Sequence, residues 1–292
     1  MSLRNNALLV SLSVSKPTMS VTDKKATSDA ESANNAHNAG AYRKNLYPKH
    51  LTGPIKNAES HARDYLASVT YQMGKNEYVL PTAKYMDFAE QMARLELAFN
   101  QAVTVFLQNW TNVLDQAQQA QGDLFDAGAY PDVTELRRQF DFKVRYRPIS
   151  DIGDFVLDLE SELQDEIKEQ AKAVAMQEMD SFMQEPLKRL QEVVQRLHDT
   201  AGKGDRIVTN SRTNARESRA PIFRDTVCEN IVHEIDLLLD FADVLPQSVV
   251  DLAKDTLHAT PEPDAMRNND TVRKETHAKT ADLLAQIDNL LG

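Results

Sequence analysis

Three groupings of side chains in this chain have the spacing that chemistry needs, and residue type alone weighs each of them. Glu229 and His233 stand four residues apart, one helical turn, where a carboxylate and an imidazole could share a metal ion. No second His lies nearby to complete a coordination set, so the pair reads as a helix-surface ion pair and no metal is assigned. Cys228 is the only cysteine and sits on an apolar segment, the setting of an inert buried thiol. The acids from Asp158 to Glu169 are numerous, but general acid–base work needs two carboxyls opposed across a cleft, and a continuous acidic stretch is a solvated helix face. The chain is accordingly read as a non-enzyme with no catalytic residue and no cofactor.

Cations form the one grouping with a function to match. In Gln139 to Pro148 apolar residues occupy the even positions, so Lys143, Arg145 and Arg147 emerge on one face of a strand and Phe142, Val144 and Tyr146 on the other. Cations about 7 Å apart follow the phosphates of an extended single strand. Lys16, Lys24, Lys25, Arg43 and Lys44 come from a preceding polar arm, and Tyr42, Tyr47, Tyr71 or Tyr78 could stack on bases. The competing reading is the charged outer face of an antiparallel sheet, paired with acids on neighbouring helices.

The elements that must position these residues read as mainly helical. Leu8 to Val14 alternates apolar and Ser residues from Val10 onward, a half-buried strand. From Ser15 to Gly53 the chain is polar and basic with too few aliphatic residues to build a core, so this arm is expected to order only against something else. Pro54 opens a short amphipathic helix through Val69, and Gly74-Lys75-Asn76 turns a hairpin over 70–80. Phe88, Met92, Leu95, Phe99, Ala102, Phe106 and Val113 mark the seam of one long helix, N-capped by Thr82 and running to Gly122. Its expected partner starts at Asp151 and runs through Phe155, Leu159 and on to Leu197, kinked or broken at Pro186.

A basic strap follows, with Lys203, Arg206, Arg212, Arg216, Arg219 and Arg224 against Asp205 and Glu217. After it come an apolar helix from Ile222 to Phe241, a short helix over 247–258 and a linker over 260–270. A final helix over 271–291 carries Ala281, Leu284, Ile287 and Leu291 on one face. The fold class is mainly α with a small antiparallel β-sheet, built on a long antiparallel helical hairpin plus C-terminal helices. Its segments are 1–53, 54–148, 149–258 and 259–292.

Composition narrows the class further. Hydrophobic residues make up 41% and charged ones 26%, which excludes a wholly disordered or membrane-spanning chain. Nine glycines are too few for the Gly-rich phosphate loops of nucleotide-binding α/β enzymes. A lone Cys excludes an intramolecular disulfide framework and points to a reducing, intracellular compartment. Ser11 and Ser13 interrupt the first apolar run, which reads as neither signal peptide nor transmembrane span. Residues 1–85 hold 11 Lys or Arg against 6 acids, whereas 86–292 hold 22 against 38. An acidic protein with a basic N-terminal part can offer one positive face to a polyanion.

Several short pieces carry a resemblance: Lys16-Pro17-Thr18-Met19 and Asp23-Lys24-Lys25 after the opening strand, Leu80-Pro81 before the long helix, Phe140-Asp141-Phe142, and Phe223-Arg224-Asp225-Thr226-Val227-Cys228-Glu229-Asn230. In these the chain resembles an uncharacterised family of tailed-bacteriophage and mobile-element proteins, found near genes for MoxR-type AAA+ ATPases and von Willebrand A domains. The resemblance implies a phage-type protein in the cytoplasm of a bacterial host and carries over no activity or site.

Two functions are then expected. The first is an oligomeric single-stranded nucleic-acid-binding protein of phage recombination or replication, using the eight cations Lys16, Lys24, Lys25, Arg43, Lys44, Lys143, Arg145 and Arg147. It would self-associate as a homo-oligomer through the N-terminal arm and the C-terminal helix. The alternative is a non-enzymatic structural or adaptor protein partnering an AAA+ ATPase or another protein; neither involves a membrane.

Overall fold

The computed structural model describes residues 6–149, 161–203, 206–209, 216–219 and 222–292, and it is mainly helical with a small antiparallel sheet, the expected fold class. It divides into two compact units, each discontinuous in sequence. The N-terminal unit comprises Val10–Ala67 and Lys84–Tyr146, and the C-terminal unit comprises Met1–Leu9, Ser68–Ala83 and Arg147–Gly292. The four expected segments do not coincide with them, because β1 (Ala7–Ser15) and β6 (Asp141–Pro148) each begin in one unit and end in the other. With β4 (Tyr71–Gly74) and β5 (Glu77–Pro81) they form a sheet of order β4-β5-β1-β6. The β4–β5 hairpin turns where expected, with Asn76 taking the left-handed conformation that lets two residues reverse the chain.

In the N-terminal unit the arm is ordered on its own protomer, which corrects the expectation that it would need a neighbour. β2 (Ser20–Thr22) pairs antiparallel with β3 (Arg43–Asn45), enclosing α1 (Lys24–Ala33). Asp23 caps α1 by accepting the Ala26 N–H at 3.0 Å. Leu46 and Tyr47 are buried, the Tyr47 ring meeting Phe106, Trp110 and Tyr130 at centroid distances of 5.6, 5.9 and 6.0 Å. Main-chain acceptors of the arm also find partners: Tyr130 donates its hydroxyl to the Leu46 carbonyl and Gln121 its amide to that of Asn45. One buried aromatic anchor in a preformed cluster, with satisfied carbonyls, offsets the ordering entropy that composition alone weighed against this segment.

Beyond the arm, α2 (Lys49–Val69) begins one turn before Pro54 and buries Ile55, Ala58, Ala62 and Leu66. The expected long helix is two, α3 (Tyr85–Gln108) and α4 (Trp110–Gln121), after a single 3-10 turn over Thr82–Lys84 that replaces the Thr82 cap. The break falls at polar Asn109, whose side-chain amide donates to the Val105 carbonyl at 2.7 Å and competes with the backbone ladder. The seam holds: Phe88, Met92, Phe99, Phe106, Val113 and Ala117 are buried. α5 (Val133–Arg138) adds Leu136 to this core.

In the C-terminal unit α6 (Ser161–Ala201) passes through Pro186 uninterrupted, because buried Phe182, Leu187, Leu190, Val194 and Leu197 hold it on both sides of the missing hydrogen bond. Asp151, Phe155, Leu159, Asp205 and Arg212 lie outside the described residues. Within the basic strap β7 (Arg206–Thr209) pairs antiparallel with β8 (Arg216–Arg219). α7 (Thr226–Asp240), α8 (Gln247–Ala259), α9 (Pro263–Asn268) and α10 (Asp270–Leu291) complete the unit. Where a linker was expected, α9 buries Met266.

The antiparallel helical pair is present with a change of partner: α6 runs along α10, whereas the 82–121 segment belongs to the other unit. The helix expected as an oligomer contact thus spends its buried face on its own protomer. That face is Arg273, Thr276, Thr280, Leu283 and Ile287; of the expected one, Ile287 is buried and Leu284 and Leu291 pack half-buried against the core, while Ala281 is exposed. Polar residues line the seam because they pair there. His198 and His277 stack at 3.9 Å, and each Nδ1 lies 3.1 Å from the other residue's main-chain carbonyl. His198 Nδ1 also lies 3.0 Å from the Thr280 hydroxyl, which adds a third polar group to the seam. Gly202 makes room for the stack: a Cβ there would come within 2.9 Å of the His277 ring.

The centre of the unit is a buried carboxylate. Glu234, 4% exposed, accepts the Tyr71 hydroxyl at 2.9 Å and two Arg189 N–H groups at 3.1 and 2.8 Å, tying α7 to β4 and α6. Arg189 also donates to the Thr70 carbonyl at 3.0 Å and lies over the Tyr71 ring. Burial beside this carboxylate pushes the Tyr71 hydroxyl well above its usual pKa, so it stays a donor. Removing one partner from a buried ion pair costs about 3–5 kcal/mol. Arg189 is 24% exposed and partly screened, so Glu234→Ala is expected to cost about 2–3 kcal/mol in urea unfolding. Glu234→Ala combined with Arg189→Met should cost less than the sum of the single changes, and simple additivity would contradict the pairing.

Candidate nucleic-acid interface and an acidic groove

Strand β6 presents its cations as the alternation requires: Phe142 is buried, Val144 and Tyr146 are half-buried, and Lys143, Arg145 and Arg147 are exposed. Two of the three are nevertheless engaged. Lys143 pairs with Asp141 at 2.8 Å and Arg147 pairs with Glu77. Arg145 makes no ion pair among the described residues, so the strand offers one uncommitted charge where the sequence suggested three.

The arm divides in the same way. Lys16 pairs with Glu59, whose carboxyl is held below its usual range by Lys16 and Arg63 against the opposing effect of burial. Lys44, with a side chain 10% exposed, is fixed between the Asp23 carboxylate at 3.2 Å and the Leu124 carbonyl at 2.8 Å. Arg43 donates to the Ser20 hydroxyl at 3.0 Å and remains exposed. Lys24 and Lys25 are exposed at the start of α1. With Lys44 they line an open cavity of about 360 Å³, together with Asp23, Asp123 and Asp126, so its wall is not a field of one sign. No side-chain hydrogen bond joins β6 to this cluster among the described residues.

The tyrosines proposed for base stacking are partly withdrawn into the core. Tyr47 and Tyr71 are buried at 5% and 0% exposure, Tyr78 is half-buried, and Tyr42 is exposed. Burial raises the Tyr47 hydroxyl to about 12. The sequence showed the type and period of these aromatics but not which of them face a helix.

Sequence reasoning missed a second site, which lies in the C-terminal unit. Between α7, α8 and the 260–263 turn lies a groove of about 600 Å³. Cys228, Val232, Leu257 and the two prolines 261 and 263 supply apolar lining, and Glu229, Asp236 and Glu262 supply carboxylates. Glu229 and His233 form no ion pair here, because His233 turns its Nε2 to the Ser68 carbonyl at 3.1 Å. Cys228 donates its thiol to the Pro261 carbonyl, and burial with nearby acids pushes it up to about 11, so it is no nucleophile at neutral pH. No three His, Cys, Asp or Glu among the described residues are grouped to hold a metal ion. Among the described residues, no helix is long and apolar enough to cross a membrane. The signal for this groove was Val232 beside Glu229 on an otherwise apolar helix, too common a pattern to single out.

No protein-family model, curated protein or solved structure gives a significant match to the chain, so the family resemblance rests on the short pieces that carry it.

The geometry at Asp23 predicts an acid response. The Ala26 N–H and Lys44 hold its carboxyl below the usual 3.8. Stabilisation from a lowered carboxylate is complete above the unfolded value and lost as pH falls through the folded one. Amide exchange over 20–45 should therefore stay slow down to pH values below 3.8 and rise only under stronger acid. Asp23→Ala should raise it already at neutral pH, because the cap to the Ala26 N–H is lost. Unchanged protection in that variant would remove Asp23 as the tie of the arm.

Proposed function

We propose that the chain is a non-catalytic protein-binding adaptor whose C-terminal unit receives a positively charged partner. The observation that carries this reading is where the charge lies. The N-terminal unit holds 14 Lys or Arg and 14 Asp or Glu, so the whole net charge of −11 falls on the C-terminal unit. The cations of the N-terminal unit are balanced by acids within the same unit, Lys16, Lys44 and Lys143 of the candidate eight by direct ion pairs, and Arg147 pairs with Glu77 in the C-terminal unit. A strongly charged unit steers an oppositely charged partner and selects against like-charged ones. An AAA+ ATPase is the kind of partner that the family resemblance adds.

A second reading keeps one specific support: Lys24, Lys25 and Arg145 are exposed and make no ion pair among the described residues, and single-stranded nucleic acid would meet them. Cross-linking of the full chain in its own cell extract, after nuclease treatment, separates the two. The adaptor predicts cross-links to protein at lysines of the C-terminal unit such as Lys254, Lys274 and Lys279, unaffected by nuclease. Loss of all cross-links on nuclease treatment would overturn it. The nucleic-acid reading predicts salt-dependent anisotropy with a single-stranded oligonucleotide, weakened at least tenfold by combined change of Lys24, Lys25 and Arg145 to Glu.

A further inference from the structure

The α7–α8 groove combines two properties that are seldom adjacent by chance. Its lining is apolar and open to solvent, with Val232 at 39% and Leu257 at 38% exposure where a side chain of either kind ordinarily packs inward. Its carboxylates are uncommitted: Glu229, Asp236 and Glu262 are exposed and make no ion pair among the described residues. Arg267, whose charge reaches Cys228 in this wall, is already taken by Asp225 and Asp264.

Spacing then decides what the groove can hold. Glu229 and Asp236 are seven residues apart on α7, two turns and about 10.5 Å at 1.5 Å per residue. That is too far for one small cation to neutralise both. It matches two cations set seven apart on another helix, and Val232, three residues after Glu229, lies between them on the same face. A pocket of this size accepts a few bulky side chains and not a whole domain. Cys228 is a neutral thiol in this wall, so nothing in the apolar lining competes for a positive charge.

From this juxtaposition, and resting on the adaptor reading, we infer that the groove is the docking site for a basic amphipathic helix of a partner protein. Lys or Arg at positions i and i+7 meets Glu229 and Asp236, and an aliphatic anchor at i+3 or i+4 enters between Val232 and Leu257. This is helix-in-groove recognition with the charges setting register and the apolar anchor supplying affinity.

The test uses the full chain and two labelled synthetic peptides of about 16 residues with identical composition. One carries Arg at i and i+7 around Leu at i+3 and i+4; the other moves the Arg residues to the opposite helix face. Fluorescence anisotropy should show the first peptide binding at least tenfold more tightly, with affinity falling severalfold as salt rises from about 50 to about 300 mM. Leu257→Asp should weaken the first peptide at least tenfold. Glu229→Gln with Asp236→Gln, surface changes that leave folding intact, should abolish the difference between the two peptides. Equal binding of both peptides, no binding of either, or indifference to both variants overturns the inference. Persistence of protein cross-links on the C-terminal unit in the Glu229→Gln/Asp236→Gln variant would leave the adaptor reading standing and remove only the groove.

Discussion

A single buried carboxylate constrains the C-terminal unit more than any other group. A charge in that environment is tolerated only if it is paired and hydrogen-bonded, and Glu234 meets the requirement at both oxygens, with one hydroxyl from β4 and two guanidinium donors from α6. The arrangement fixes where Tyr71 lies, and the Tyr71 ring in turn packs at 5.0 Å from Phe241 and 6.5 Å from Phe182. Sheet, long helix and apolar helix are thereby held in one register around a polar point, while the surrounding leucines and valines would accept several. The polar seam of α6 and α10 works to the same effect further along, with stacked imidazoles in place of a salt bridge.

The N-terminal unit solves the equivalent problem with cations. Lys44 is drawn inward to Asp23 and the Leu124 carbonyl, and Lys16 to Glu59. Each such pairing removes a charge from the pool that could meet a polyanion. Holding a polar arm in place and binding nucleic acid draw on the same side chains, and the structure commits several of them to the arm. The C-terminal unit has the opposite balance, with carboxylates around an apolar groove that make no ion pair among the described residues.

Periodicity was a sound guide wherever burial is one-sided. The heptad from Phe88 to Ala117, the even positions of β6 and the strand after Asn6 all have the inward faces their patterns require. It was silent where polar residues form the buried face. Arg273, Thr276 and Thr280 look like solvent positions until His198 and the α9 carbonyls are known to face them, so the expected face of Ala281, Leu284, Ile287 and Leu291 missed the polar half of the seam. The arm was misjudged for a related reason: composition counts apolar residues, whereas one tyrosine inserted among Phe106, Trp110 and Tyr130 is enough. Of the candidate site, residue types and strand alternation were legible. Which cations are neutralised was not, since ion pairs such as Arg147 with Glu77 join residues far apart in sequence.

The discontinuous course of the chain bears on how the protein is made. Every residue of the N-terminal unit has been translated by Tyr146, so on a ribosome that unit can close while the remainder is still being synthesised. The C-terminal unit has its first strand residues near the start of the chain and its last helix at the very end, and α6 lacks its longest partner until α10 emerges. Its apolar face from Phe182 onward can meet β4 and α7 as these are made, but the flank that α10 covers, around Gln191 and His198, stays open until the last helix is translated. A nascent chain of this kind is exposed to holdase chaperones at α6 above all, and a ribosome stalled short of Asp270 would release a product with one unit folded and the other open.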